Sequence, residues 1–279
     1  EKSLKKQVAG AAYGLSVIYS RNNNPFYNLD SALYYIHKSD SAFRLLEEKK
    51  RKKLVELKLD SSAIYRQQSF VDEKCFDRAK EEYTIESYNL FLHKNKGAKQ
   101  TLTAIKERNE LAYQQTLKQN TSIAYSEFLN LYPEASQVKA VRAKREKVLF
   151  AEYTDINTVE NNVRFVNEQP RSHYVIQAHQ NIYELSTAEK TIKSYYNFVK
   201  KFPNNPHVSS AWRNVYSLST HEHTAENIQR FIKNYPDYPF KNELRKDFQL
   251  ANTTYYPIAK EGKWGFVNDS LNVVIPLVY

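Results

Sequence analysis

The sequence predicts an all-α protein, an α-solenoid of about six helix pairs that ends in a short β-hairpin. Three observations carry this prediction. A Phe–Pro pair recurs at intervals of 33 to 37 residues through the middle of the chain. Only five Gly and nine Pro occur in 279 residues, while Lys, Glu, Gln, Ala and Leu are plentiful, a balance that favours helix. After Tyr255 the texture changes to β-rich. These features divide the chain into an irregular helical region (1–85), helix-pair repeats (86–254) and the start of a β module (255–279).

The first helix is predicted over residues 4–20, with Leu4, Val8, Ala11, Ala12, Leu15, Ile18 and Tyr19 as its apolar stripe. Gly10 and Gly14 have the spacing of a helix-packing pair. Asn22-Asn23-Asn24-Pro25 breaks the helix, and Asn28 or Asp30 caps the next. A long charged helix is predicted from Asp40 to Lys58. It carries Lys49-Lys50-Arg51-Lys52-Lys53 between Glu47-Glu48 and Glu56, the spacing of i,i+4 pairing on a solvated face. Asp60-Ser61-Ser62 caps a further helix bearing Ile64, Phe70, Val71, Cys75 and Phe76. As the only cysteine, Cys75 excludes a disulfide within the chain and reads as a small packed residue.

The repeat itself runs Phe128 to Pro133, Phe165 to Pro170, Phe198 to Pro203 and Phe231 to Pro236, with a Pro-less copy at Phe91. Each Phe is expected near the end of a first helix, facing the core. Each Pro stops that helix, because it lacks an N–H and its ring clashes with the preceding turn. Ala140, Ala143, Ala178 and Ala211 are expected where second helices approach closely, with Phe150, Tyr183 and Tyr216 on the same face. Ser186 with Glu189, and Ser219 with Glu222, have the spacing of capping boxes opening the next unit. One helix pair cannot bury its own apolar face, so stacking is expected, giving a curved rod with an extended inner surface.

From Ser87 to Asn252 the pattern resembles the tetratricopeptide-repeat family, in the Phe-x-x-x-Tyr-Pro variant found in bacterial cell-envelope lipoproteins and assembly factors. The usual Trp, Gly and Tyr signature of the first helix is missing, and the 37-residue spacings are long. The resemblance implies a right-handed solenoid that binds other proteins. Downstream, Gly262-Lys263-Trp264-Gly265-Phe266-Val267, a turn at Asn268-Asp269-Ser270, then Val273-Val274-Ile275-Pro276 and Tyr279 resemble one unit of the WG-repeat family. Such units occur in tandem, so further units are expected to follow. Helical repeats joined to WG repeats suggest a Bacteroidota-type modular protein.

Catalytic motifs are not recognisable. Five scattered glycines cannot build a phosphate loop, and His221-Glu222-His223 places two imidazoles at i,i+2, which does not aim them at one ion. The reading is a protein that is not an enzyme and needs neither cofactor, metal nor small-molecule substrate. Its expected partners are other proteins, particularly acidic or extended segments. In solenoids of this type the first helices line the inner face, making Asn89, Arg164, Asn197, Lys200, Arg230 and Lys233 the candidate partner-binding residues. The +10 net charge and 22 Tyr raise RNA binding as the alternative. Against it, the residues before each Phe (Leu90, Glu127, Arg164, Asn197, Arg230) do not recur in kind. The envelope resemblance and the missing initiator Met lead to an expected periplasmic or outer-membrane-associated location, with association to an outer-membrane complex; a cytoplasmic location is the alternative.

Overall fold

The computed structural model describes residues 2–278, with side chains from Gln7 onward. The side chain of Leu4 and all of Tyr279 therefore lie outside the described residues. The chain divides into two compact units, residues 1–148 and 149–279. Among the described residues are fourteen helices, packed in consecutive pairs, and one three-stranded antiparallel sheet.

The first unit contains α1 (Lys2–Tyr19), α2 (Leu29–Arg44), α3 (Glu48–Glu56), α4 (Ser61–Glu82), α5 (Ile85–Lys94), α6 (Thr101–Gln119), α7 (Ser122–Leu131) and the start of α8 (Val138–Tyr153). Helices α1 and α2 approach closely through small residues. Ala9, Ala12 and Ser16 on α1 and Ala32 and Ser39 on α2 are buried, and the Ser39 hydroxyl donates to the Ala9 carbonyl at 2.8 Å. This shifts the buried stripe from the one predicted: Ala11 and Ile18 face solvent, and Ser16 takes a core position. Gly10 and Gly14 do not mediate the approach, since a Cβ at either would meet nothing within 4 Å.

The long helix predicted from Asp40 to Lys58 is instead two helices, broken at residues 45–47. The break lets both Leu46 and Leu54 reach the core, at 4% and 3% exposure, which one straight charged helix would not do. Asn28 caps α2 by accepting from Ser31 N–H at 2.8 Å, and Asp60 caps α4 by accepting from Ala63 N–H at 2.6 Å. Cys75 is buried on α4, and burial pushes its thiol pKa up.

The second unit continues with α9 (Val159–Glu168), α10 (Val175–Ser186), α11 (Ile192–Lys201), α12 (Val208–Ser219), α13 (Ala225–Asn234) and α14 (Lys241–Ala251). Five regular pairs thus run from α5 to α14, and the predicted Phe residues are their fixed points. Phe91, Phe128, Phe165, Phe198 and Phe231 are each at most 3% exposed. Each meets the aromatic ring 15 residues earlier, on the preceding helix. The pairs are Phe76–Phe91, Tyr113–Phe128, Phe150–Phe165, Tyr183–Phe198 and Tyr216–Phe231, with centroids 5.0–6.1 Å apart. Burying one such ring contributes about 1.5–3 kcal/mol.

The turn after each Phe also repeats. The N–H four residues on bonds back to the Phe carbonyl at 2.8–2.9 Å, at Asn95, Tyr132, Gln169, Phe202 and Tyr235. In the last four copies the next residue is the predicted Pro, just outside the helix. Where the first copy lacks Pro, Gly97 (φ 83°) supplies the reversal.

The start of each first helix corrects the sequence reading. Ser186 and Ser219 do not cap a following helix; they are the last residues of α10 and α12. The Ser219 hydroxyl is buried without a hydrogen-bond partner. The adjacent Thr187 and Thr220 close those helices instead, donating to Tyr183 and Tyr216 carbonyls at 2.8 Å. The N-caps are Thr84, Thr121, Thr158, Thr191 and Thr224, each seven residues before its Phe and each accepting an N–H from the residue three positions on. Ala140 and Ala143 are exposed, and the close-packed second-helix position is Val141, in phase with Ala104, Ala178 and Ala211.

The terminal segment has three strands rather than the expected hairpin: β1 (Tyr256–Lys260), β2 (Lys263–Val267) and β3 (Val273–Ile275), in that order. The predicted turn at residues 268–270 exists, held by Asn268 Oδ1 accepting from Ser270 and Asn272 N–H. The extra turn is Glu261-Gly262, where both residues have positive φ (53° and 77°), so a two-residue link splits the first β-rich run. Gly265 is required by close approach, because a Cβ there would stand 2.7 Å from the Ile275 carbonyl oxygen.

Candidate partner-binding surface

Because each Phe faces the core, the residue before it and the residue two after it are carried away from the core on the same helix, as is Asn89, two before Phe91. All six predicted site residues are accordingly exposed. In the first unit, Asn89 on α5 accepts from Arg108 Nη1 of α6 at 3.1 Å. The other five lie on α9, α11 and α13 of the second unit.

Their charges are partly engaged within the unit. Lys200 pairs with Asp237 at 2.8 Å and lies 5.4 Å from the Tyr196 ring centroid. The Asp237 hydrogen bond raises the Lys200 pKa, and the same contact lowers that of Asp237. Arg230 pairs with Glu226 one turn back at 2.8 Å. Arg164 stacks over Tyr153 at 5.0 Å, and the Tyr153 hydroxyl donates to Glu168. Asn197 and Lys233 project as exposed side chains. With Tyr153 at the end of α8, the first helices of this unit therefore present mixed charge with aromatic platforms, not an unbroken basic strip.

Each unit also has an open cavity. In the first unit an open cavity of about 850 Å³ lies beside the α1–α2 turn and α4. Its charges answer one another: Asp30 receives Arg78 at 3.2 Å and Lys94 at 3.1 Å, and Lys74 reaches Asp77 at 3.4 Å. Burial pushes the Asp30 carboxyl up, but the Lys94 and Arg78 hydrogen bonds outweigh it and hold the pKa below the usual carboxylate value.

In the second unit a cavity of about 260 Å³ is floored by Val163, Val166, Ile182 and Phe202, with His179, Lys201 and Asn205 around it. Asn205 is 6% exposed and its amide atoms are fixed by their partners. Its Oδ1 accepts from His207 N–H at 2.9 Å, so its Nδ2 donates to His179 Nδ1 at 3.2 Å. The imidazole proton then resides on Nε2. Burial, and next the neighbouring His207, lower the His179 pKa and favour this neutral form.

His179 and Asn205 lie on a second helix and a turn, outside the first-helix positions where the sequence places partner-binding residues. Among the described residues, no three His, Cys, Asp or Glu side chains cluster as a metal site would, and no helix is long and apolar enough to cross a membrane. No protein-family model matches this sequence, and no curated protein is significantly similar to it.

Proposed function

We propose that this chain is a non-catalytic protein–protein interaction scaffold, built as a tetratricopeptide-type repeat array with a WG-type β unit, and that it serves a bacterial cell-envelope assembly or secretion complex. The observation carrying this reading is the division of labour within each regular pair. Thr cap, Phe and turn are spent on the fold, while the intervening first-helix positions and the α9–α11 cavity stay open to a partner. Mixed charge with aromatic platforms suits an extended or acidic protein segment, since Arg and Lys can take carboxylates while rings take apolar contacts.

The sheet fits the same modular role. Trp264 is 55% exposed and Val273 56%, so its apolar side chains offer contact area to another module. The test is affinity purification of the full-length protein from its native cell after crosslinking. Recovery of a defined partner, crosslinked through α9, α11 or α13, supports the scaffold reading. Absence of any stable partner sinks it. A salt-dependent shift with single-stranded RNA at near-physiological ionic strength favours the nucleic-acid alternative instead.

A further inference from the structure

The cavity floored by Val163, Val166, Ile182 and Phe202 has a counterpart one repeat later, and the two differ in what fills them. A shift of 33 residues carries Val166 to Val199, Ile182 to Val215 and Phe202 to Tyr235, all similar in kind. The same shift carries Val163 to Tyr196, His179 to Trp212 and Asn205 to Tyr238. In the later copy those three rings occupy the space. Tyr196 and Trp212 are 5.7 Å apart between centroids, Trp212 and Tyr238 5.8 Å, and Tyr196 and Tyr235 5.1 Å. Trp212 and Tyr238 are 4% and 3% exposed. In the earlier copy a valine, an imidazole and an amide stand at these positions, and about 260 Å³ is left open.

We propose that this cavity is a binding pocket for one aromatic side chain of a partner protein, which would take the place that the Trp212 and Tyr238 rings hold in the next repeat. The proposal rests on the scaffold reading and specifies what the scaffold grips. The apolar floor gives water few partners, so a ring entering it gains the area removed from solvent. The Asn205–His179–His207 hydrogen bonds keep the mouth preformed, which limits the ordering cost of binding. No carboxylate lines the cavity, and Lys201 stands at its edge, so nothing there repels the ring's electron-rich face.

Methyl NMR of the full chain tests this directly, with N-acetyl-tryptophanamide and N-acetyl-tyrosinamide as probes. The expected result is saturable shifts confined to the methyls of Val163, Val166 and Ile182. Affinity should fall at least tenfold in Val163→Tyr/His179→Trp, which imports two of the three rings of the later repeat. Absence of saturable shifts up to about 10 mM, a concentration that still detects binding weaker than −4 kcal/mol, overturns the proposal. Equal binding by the filled variant overturns it too. Should the double variant not fold, Val163→Tyr alone, on the half-buried face of α9, gives the same readout. Failure here leaves the scaffold reading standing, because that reading is decided by crosslinking in the native cell.

Discussion

The groove formed by α9, α10 and the end of α11 and its counterpart formed by α11, α12 and the end of α13 share their caps, turns and buried Phe. What fills one and not the other is a change in three side chains from small or polar to aromatic. One is closed by Tyr196, Trp212 and Tyr238, and the other is left open at Val163, His179 and Asn205. The comparison teaches that two sets of positions act independently in these repeats. One set fixes the helix pair, and the other decides whether the space between successive pairs is core or surface.

The largest test of that separation is Phe198→Ala, since α11 contributes to both grooves. Truncating a fully buried Phe should cost about 3–5 kcal/mol, measured by urea denaturation. A cost within error of zero would break the premise that the Phe positions hold the pairs. Next comes Trp212→His with Tyr238→Asn, which imposes two of the open groove's three residues on the closed one. A loss of about 3 kcal/mol is expected from the emptied ring volume, together with a second site for the aromatic probes. Stability lost without a new site would show that the open groove needs more than missing rings.

Caps give a smaller effect that sharpens the other half of the comparison. Thr191→Ala and Thr224→Ala should each cost about 1 kcal/mol, whereas Ser186→Ala should stay within about 0.5 kcal/mol. Equal costs at Thr191 and Ser186 would argue against the observed caps. The smallest effect is a pH dependence belonging to the open groove alone. The folded state holds the His179 pKa below its ordinary 6.5, so below that pH the unfolded chain binds more protons. Stability contributed by neutral His179 is thus present above pH 6.5 and lost as pH falls toward the lowered folded value. His179→Trp should flatten that part of the stability–pH curve, read by thermal melts between pH 7.5 and about 5. An unchanged curve would remove His179 from the account.

Much of this fold is legible in the sequence because its strongest signals are residues with one structural use. A buried Phe followed five positions later by Pro marks the end of a first helix wherever it occurs. The caps were harder to read. Ser186 and Glu189 have capping-box spacing, but the buried Thr187 between them closes α10 at Ser186, and the next helix starts only after its true cap at Thr191. The helix from Asp40 to Lys58 reads as continuous because its charges are evenly spaced, while the need to bury both Leu46 and Leu54 is a tertiary demand. The open groove was present in the sequence as a contrast in size, Val163 against Tyr196 and His179 against Trp212. It becomes visible when second helices and turns are aligned at the same spacing as the Phe residues.

Cys75 turns the division into two units into something that can be timed. It is the chain's sole thiol, it is 3% exposed, and burial holds it protonated. Alkylating reagents attack thiolate, so the folded first unit should be inert to them until α4 opens. The alkylation rate in native buffer therefore clocks the opening of residues 1–148 alone. The second unit carries no thiol and stays silent in the same trace.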